Sequence, residues 1–281
     1  MTRDRHQWQA YQAAYAETEE RFSFPDPKIC DGWTPPPASL VLSVGAGAGR
    51  DIWHLTPHFR VHAIDFATSG LRVAKRHDLR CVSADITDGL PYRDNAFDLV
   101  ILKDILEHLL DPQTLVGEVQ RVLRPGGRVI ISVPNHFFLS FRIRLLLGKG
   151  LIWKSLGHDH AVAFEDWNYM HLRFFTYRGF RRFLQQVGLM PERFFWDFGT
   201  LAHYNQPEMV FGAQHEKQRL GLPLSRKGRF GLMTLLPAYR VFNAVFPRRL
   251  RHAIVSLAPG LLCAGFYVRC RRMDVPFSNR V

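Results

Sequence analysis

The 281-residue sequence predicts an α/β fold whose core is a doubly wound, mostly parallel sheet. Between residues 40 and 133, five short apolar runs alternate with segments of helical period. These runs are almost continuously apolar, as strands buried on both faces are. The first run leads into a glycine-rich turn and then a helix start, a connection typical of such sheets.

Seven strands and five helices account for the pattern, and the first of these helices covers residues 7–22. The predicted strands cover residues 40–44, 60–64, 79–84, 97–102, 128–133 and 190–198, and the segment GFYVRCRR is the seventh and antiparallel strand. Helices are predicted near Asp51, over 69–77, over 111–123 and after Thr176, which is a plausible N-cap. The apolar spacing of i, i+3, i+4 and i+7 supports this last helix, with Phe180, Phe183, Leu184 and Val187.

The net charge of +12 lies entirely in the second half of the chain. Residues 1–134 carry 15 basic and 17 acidic side chains, whereas residues 135–281 carry 22 and 8.

Four scattered cysteines exclude a disulfide framework, and the N-terminal residues show no apolar signal segment. The longest uncharged apolar stretch is too short for a spanning helix. We therefore expect a cytoplasmic protein.

The segment VLSVGAGAGRD, residues 41–51, is the most informative motif. Three glycines at alternate positions allow a sharp turn and let a ligand lie against bare backbone, next to the free N–H groups of a helix start. A tight turn without a ligand is the alternative. Asp65 ends the second strand 20 residues after Gly45, the spacing at which a carboxylate can accept the hydrogens of a ribose diol. A further acid, Asp85, ends the third strand and is followed by Ile86.

The stretch from Leu40 to Asn135 resembles the class I S-adenosylmethionine-dependent methyltransferases, in particular the small-molecule branch that includes ubiquinone-biosynthesis-like enzymes. The matching segments are, in chain order, VGAGAGR, AID, ADITDGLPYRDNAFDLV, LEHLLDP, VLRPGGRVIISVPN and the later HLRFFT. Two positions depart from the pattern. Ser43 stands where the family usually has an acid, and Lys103 stands where it often has a small or polar residue.

The resemblance implies a Rossmann-like fold that binds S-adenosyl-L-methionine. The cofactor-binding residues it implies are Gly45, Ala46, Gly47, Gly49, Asp65, Phe66, Asp85, Ile86 and Lys103. The glycines would line the methionine portion, Asp65 the ribose, and Asp85 with Ile86 the adenine. Residues 103–108 would border the transferred methyl group. A cation at Lys103 is compatible with a sulfonium only if it points away.

Methyl transfer to a hydroxyl requires a proton acceptor, and histidine suits that role near neutral pH. We predict His108 and His136 as catalytic residues, with His171 as a third candidate. A purely structural contact is the alternative for His108. Residues His158, Asp159 and His160 lack a third ligand at metal-site spacing, so no metal is expected.

The resemblance organises the chain as a single methyltransferase domain. It comprises a helical N-terminal cap at 1–38, a cofactor-binding core at 39–135, an aromatic and basic acceptor-lid insertion at 136–172, a helix and sixth strand at 173–198, a basic insertion at 199–262 and the last strand at 263–273. Alternatively, the two insertions are helices packed on the core.

We predict methyl transfer to oxygen of a small-molecule, lipid-linked or glycan-linked acceptor. An RNA methyltransferase and a non-catalytic cofactor-binding scaffold are the alternatives. Cations interleaved with bulky apolar residues over 199–262 would also suit peripheral membrane contact, whereas nucleic acid is disfavoured because no RNA-binding module is evident. The oligomeric state is left open.

Overall fold

The structure, a computed structural model, describes Asp26, residues 29–148, 171–195, 244–263 and 265–272, and single positions between 223 and 241. The predicted helix at 7–22, the segment His158–Asp159–His160 and most of both insertions lie outside these residues. Within them, seven strands form one sheet flanked by helices. None of the helices in this part of the chain is long and apolar enough to span a lipid bilayer.

The strands are β1 (Leu40–Val44), β2 (Arg60–Asp65), β3 (Arg80–Ser83), β4 (Phe97–Lys103), β5 (Leu123–Pro134), β6 (Leu189–Phe195) and β7 (Gly265–Arg272). The helices are α1 (Thr68–Lys75), α2 (Pro112–Val122), α3 (Leu139–Leu146), α4 (Tyr177–Gln186), α5 (Arg248–Leu257) and the single turn α6 (Pro259–Leu262). Three short 3₁₀ turns follow β1, β3 and β4 at Trp53–Leu55, Ile86–Asp88 and Leu106–His108.

The strand order is β3-β2-β1-β4-β5-β7-β6. The pairs from β3 to β5 are parallel, and β7 runs antiparallel to both β5 and β6. The order reverses between β1 and β4, which is where ligands bind in doubly wound sheets. The predicted fold class is therefore confirmed, including the antiparallel last strand.

Both faces of the sheet are buried. Alternate residues of β1 show this directly, because Leu42 and Val44 pack on one side with α2 and α4, whereas Val41 packs on the other side with α1. Each of these side chains is at most 1% exposed. The near-continuous apolar runs of the sequence therefore reflect two cores that share one sheet.

Helix ends follow the local sequence. Asp111 caps α2 by accepting hydrogen bonds from the backbone N–H groups of Gln113 and Thr114, and Pro112 occupies the first turn. Thr176 caps α4 by accepting from the N–H of Gly179, as predicted. The chain leaves α4 through Gly188, whose φ is +71°.

Two elements differ from the sequence prediction. Strand β5 begins at Leu123 rather than at Arg128, because Leu123 pairs with Phe97 and the residues up to Arg128 bulge out opposite a single position of β4. The prediction placed only a turn there, since Pro125 and Gly126 normally end regular structure. Helix α3 was not predicted, since it lies within the 136–172 insertion. Its apolar residues are spread around the helix rather than gathered on one face, so no helical period marks it in the sequence.

Candidate functional site

The glycine-rich turn between β1 and the first 3₁₀ turn has a backbone that only glycine adopts easily. The φ angles of Gly45, Gly47 and Gly49 are +68°, +51° and +68°. The N–H groups of Gly45 and Ala46 donate to the carbonyl of Ile64, at distances of 2.9 and 3.2 Å. The turn is thus tied to the end of the neighbouring strand β2.

Two other elements pack directly against this turn. A Cβ atom added to Gly70 of α1 would lie 2.8 Å from the carbonyl carbon of Gly47, so α1 approaches the turn as closely as its backbone allows. A Cβ atom on Gly45 would lie 2.7 Å from the side chain of Ile105, which follows β4. The glycine turn is therefore held between α1 and the segment after β4.

Asp65, at the end of β2, is 5% exposed. Its two carboxylate oxygens accept hydrogen bonds from the N–H groups of Gly47 and Ala67, both at 2.7 Å. Burial raises the pKa of Asp65, and these backbone hydrogen bonds act in the opposite direction. An ionised carboxylate has about four acceptor positions, so Asp65 can still accept from a diol while it orders the glycine turn.

The residues predicted to hold the adenosine follow the same edge of the sheet. The N–H of Ala84, after β3, donates to the carbonyl of Asp65. Asp85 caps the next 3₁₀ turn and accepts from the N–H and the hydroxyl of Thr87. Ile86 is partly buried against the core, and Phe66 directly follows Asp65. The structure thus brings the predicted cofactor-binding residues to one edge, and their roles stay predictions.

Lys103 ends β4 and its ammonium group is paired with two carboxylates. Its Nζ lies 2.8 Å from Oδ2 of Asp51 and 3.0 Å from Oδ2 of Asp26. Burial lowers the pKa of Lys103, but these carboxylates more than offset that effect and the pKa is raised overall. The positive charge is therefore neutralised locally. Neither partner was predictable from the sequence, because Asp26 and Asp51 lie far from Lys103 along the chain, Asp26 by 77 residues.

A buried carboxylate and three imidazoles meet beyond the ends of β4 and β5, and we refer to them as the histidine–glutamate cluster. It consists of Glu107, His108, His136 and His171. The Nε2 atom of His136 and the Nδ1 atom of His171 share a hydrogen bond of 2.7 Å. The Nε2 atoms of His171 and His108 lie 3.9 and 4.0 Å from Oε1 of Glu107. All three predicted histidine candidates therefore share one site.

The backbone explains why residues so distant in sequence meet. The 3₁₀ turn after β4 carries Glu107 and His108, and His136 follows β5, which is the parallel neighbour of β4. The segment that begins at His171 is fixed to this turn, because the N–H groups of Leu172 and Arg173 donate to the carbonyl of Glu107 at 2.7 and 3.0 Å. Asp104, between β4 and the turn, has a φ of +49°.

The cluster lies in a poorly solvated environment. Glu107 is fully buried, and neither carboxylate oxygen makes a hydrogen bond to another described residue. Burial, together with the nearby Asp104, raises the pKa of Glu107 well above its usual range. Burial and the neighbouring His108 lower the pKa of His136 to about 4, so its imidazole is neutral at neutral pH. Glu107 lies in the segment 103–108 that was predicted to border the methyl group, but it was not singled out, although a carboxylate next to His108 after a strand end was an available signal.

Comparisons with known proteins find similarity to methyltransferases. Residues 42–131 match the family described as "Methyltransferase domain". The chain is 33% identical over 106 residues to phosphoethanolamine N-methyltransferase 2 of Caenorhabditis elegans, which is 34% of this chain and 24% of that protein. It is 33% identical over 103 residues to demethylmenaquinone methyltransferase of Renibacterium salmoninarum, 36% of this chain and 43% of that protein. It is also 29% identical over 129 residues to the ubiquinone biosynthesis O-methyltransferase of Vibrio atlanticus, 43% of this chain and 54% of that protein.

Solved structures share the fold over most of the chain. The methyltransferase bound to the Trm112 activator of Haloferax volcanii has a TM-score of 0.54 at 13% identity and covers 94% of this chain and 98% of its own. The [4+2]-cyclase SpnF has a TM-score of 0.52 at 16% identity and covers 92% of this chain and 85% of its own. At such identities the likeness shows the fold alone.

The aligned parts span about a quarter to a half of the curated relatives. Residues 42–131, which match the methyltransferase family, run from β1 into β5 and include the turns of the cofactor edge. The matched relatives include the quinone methyltransferases that the sequence resemblance named. Residues 42–131 of this chain are therefore similar to a methyltransferase domain, which agrees with the resemblance of the sequence to class I S-adenosylmethionine-dependent methyltransferases.

Proposed function

We propose that this protein transfers the methyl group of S-adenosyl-L-methionine to an oxygen atom of a small-molecule, lipid-linked or glycan-linked acceptor. One observation carries the proposal. The glycine turn, whose Gly47 donates to Asp65, packs at Gly45 against Ile105 of the segment after β4, and that same segment carries Glu107 and His108 of the histidine–glutamate cluster. A cofactor edge and a cluster able to bind a polar acceptor are thus adjacent at the point where the strand order reverses.

The reaction requires little more than positioning and removal of one proton. The acceptor oxygen forms a bond to the methyl carbon while the carbon–sulfur bond breaks, and the sulfur keeps the electron pair as S-adenosylhomocysteine forms. A hydroxyl must lose its proton as it attacks, and a neutral imidazole can accept it. His108 and His136 are the proposed acceptors of that proton, and His171 holds the ring of His136 through their hydrogen bond. An in-line arrangement supplies much of the remaining rate enhancement.

The names of the relatives support methyl transfer more firmly than they support one acceptor atom. The relatives that this chain matches include an enzyme named for O-methylation and another named for N-methylation. A neutral amine is nucleophilic without a base, so a buried imidazole cluster favours an oxygen acceptor. The excess of positive charge after residue 134 favours an anionic acceptor, or contact of the segment 199–262 with an anionic membrane surface.

Two alternatives make different predictions. The structural likeness to a protein named as a [4+2]-cyclase illustrates that this fold can serve other chemistry, so a cofactor-binding protein without methyl transfer is the first alternative. An RNA methyltransferase is the second alternative, which the basic second half favours. Methyl transfer to RNA would show steep dependence on salt, whereas transfer to a small neutral acceptor would not.

The test is incubation of the purified chain with isotopically labelled S-adenosylmethionine and fractionated small molecules, lipids and RNA. Mass spectrometry should find one labelled methyl group on an oxygen of a non-RNA product. His136→Ala should lower the rate, whereas His252→Ala, at an exposed histidine outside the cluster, should match the wild type. Label in RNA, or no labelled product while S-adenosylhomocysteine binds normally, would overturn the proposal.

A further inference from the structure

The Glu107 carboxylate is the least satisfied polar group of the histidine–glutamate cluster. Its side chain is 1% exposed, and both of its oxygens lack a hydrogen bond to another described residue. In the part of the chain that the structure describes, no lysine or arginine pairs with it, since the ammonium group of Lys103 is held by Asp26 and Asp51. Buried charges are normally paired, hydrogen-bonded or bound to metal ions.

The surroundings of Glu107 provide further ligand atoms. One ligand atom each of Glu107, His108 and His171 lies within 4.8 Å of the other two. The separations of 3.9 and 4.0 Å between Oε1 of Glu107 and the two Nε2 atoms are too long for hydrogen bonds. A zinc ion about 2.1 Å from each ligand holds tetrahedral ligand atoms about 3.4 Å apart, so each of the two distances to Glu107 would shorten by about half an ångström.

We propose that Glu107, His108 and His171 bind a divalent first-row metal ion, for which Zn²⁺ is the natural probe. Two imidazole nitrogens and one carboxylate oxygen form a ligand set that leaves a coordination position open, as catalytic metal sites do. The side chains of His108 and His171 are 19% and 15% exposed, so the open position can be reached from solvent.

The position of His136 supports this assignment. The Nδ1 atom of His171 is hydrogen-bonded to Nε2 of His136, so Nε2 of His171 is the atom that faces Glu107. A proton on Nδ1 of His171, donated to His136, would leave the lone pair of Nε2 available for a metal ion. Metal-binding histidines are commonly oriented in this way through their second nitrogen. His136 is thus a positioning residue for the metal site.

Backbone hydrogen bonds hold together the two segments that carry the three ligands. The N–H groups of Leu172 and Arg173 donate to the carbonyl of Glu107, so the segment carrying His171 is fixed to the turn carrying the other two ligands. Spacing along the chain could not reveal this site, because His171 lies 63 residues after His108.

The role of the ion rests on the proposed function. At the open position, the ion would bind the acceptor hydroxyl and lower its pKa, so that the oxygen attacks the methyl carbon as an alkoxide or phenoxide and the proton passes to water. With an ion bound, His108 would act as a ligand and His136 as a positioning residue, in place of accepting the proton. Metal binding itself is independent of that role and can be measured without an acceptor.

The experiment is equilibrium dialysis of the full chain against Zn²⁺, followed by metal analysis, with S-adenosylhomocysteine binding measured on the same samples. We expect one tightly held Zn²⁺ per chain. Glu107→Gln and His171→Ala should abolish it, and His136→Ala should weaken its binding by about 10–100-fold. His252→Ala, at an exposed histidine, and Asp94→Asn, at an exposed carboxylate, should leave it unchanged.

The possible outcomes separate the two proposals. A wild type that retains no Zn²⁺, or cluster variants that retain as much as the wild type, would overturn the metal site even if S-adenosylhomocysteine binds. Zn²⁺ bound through the cluster by a chain that does not bind S-adenosylhomocysteine would support the metal site and overturn the proposed function.

Discussion

The contact between Gly70 and the glycine turn provides a sharp test of how the cofactor edge is built. In Gly70→Ala, the new Cβ would lie 2.8 Å from the carbonyl carbon of Gly47, 3.0 Å from its oxygen and 3.2 Å from the nitrogen of Ala48. These are backbone atoms, so the clash is not relieved by a side-chain rotation. The turn or helix α1 has to move by about half an ångström, and overpacking of this kind costs about 1–3 kcal/mol.

A second helical glycine supplies the matched control. Gly117 lies in the interior of α2, and a Cβ added there meets no atom within 4 Å. Gly117→Ala should therefore gain most of the helix-propensity difference of about 1 kcal/mol and raise the melting temperature by a few degrees. The same substitution should have opposite effects at the two positions.

Chemical denaturation and calorimetric titration of S-adenosylhomocysteine measure both effects. We expect Gly70→Ala to lower the free energy of unfolding by about 1–3 kcal/mol and to weaken binding at least about tenfold, because the displaced Gly47 donates to Asp65. Gly117→Ala should leave binding unchanged. Equal stability and equal affinity for Gly70→Ala and the wild type would refute the argument that α1 fixes the turn.

Two further predictions concern charged residues. Lys103→Met leaves Asp26 and Asp51 without their shared cation. Since the site is partly exposed, we expect urea unfolding at neutral pH to show a loss of about 1–3 kcal/mol in the free energy of unfolding, and no loss for Lys75→Met at an exposed lysine. An unchanged stability of Lys103→Met would mean that the ion pairs contribute nothing. Asp111→Ala removes the cap of α2 and should cost about 1 kcal/mol. Hydrogen bonds from Thr114 lower the pKa of Asp111, so this difference should be complete above the unfolded pKa of about 3.9 and disappear as the pH falls through the lower folded value. Asp111→Asn, which keeps an acceptor, should lose little, and a constant cost of Asp111→Ala down to about pH 2 would contradict the assignment.

The order of strands and the glycine turn were predictable because they depend on local signals. Apolar runs mark buried strands, and residues such as Gly45 and Asp111 have conformational or capping preferences that act over a few positions. All seven strands appear within a few residues of their predicted positions, and the exception at β5 comes from a bulge that pairing with β4 imposes on Leu123.

Interactions between distant residues could not be predicted in the same way. Lys103 seemed ill-suited to a cofactor edge, since the sequence does not reveal that Asp26 and Asp51 neutralise it. Three candidate histidines were identified singly, whereas their meeting with Glu107 depends on the parallel pairing of β4 with β5 and on the return of the chain at His171.

The most direct test of the cofactor edge is the affinity of the chain for S-adenosylhomocysteine with and without Asp65. Titration calorimetry should find one molecule bound per chain and at least about 100-fold weaker binding by Asp65→Ala, since about 1.5–3 kcal/mol is lost with each hydrogen bond to a charged group. Asp94→Ala, at an exposed carboxylate, should bind as the wild type does. A wild type that does not bind, or a folded Asp65→Ala that binds equally well, would contradict the assignment of the cofactor edge.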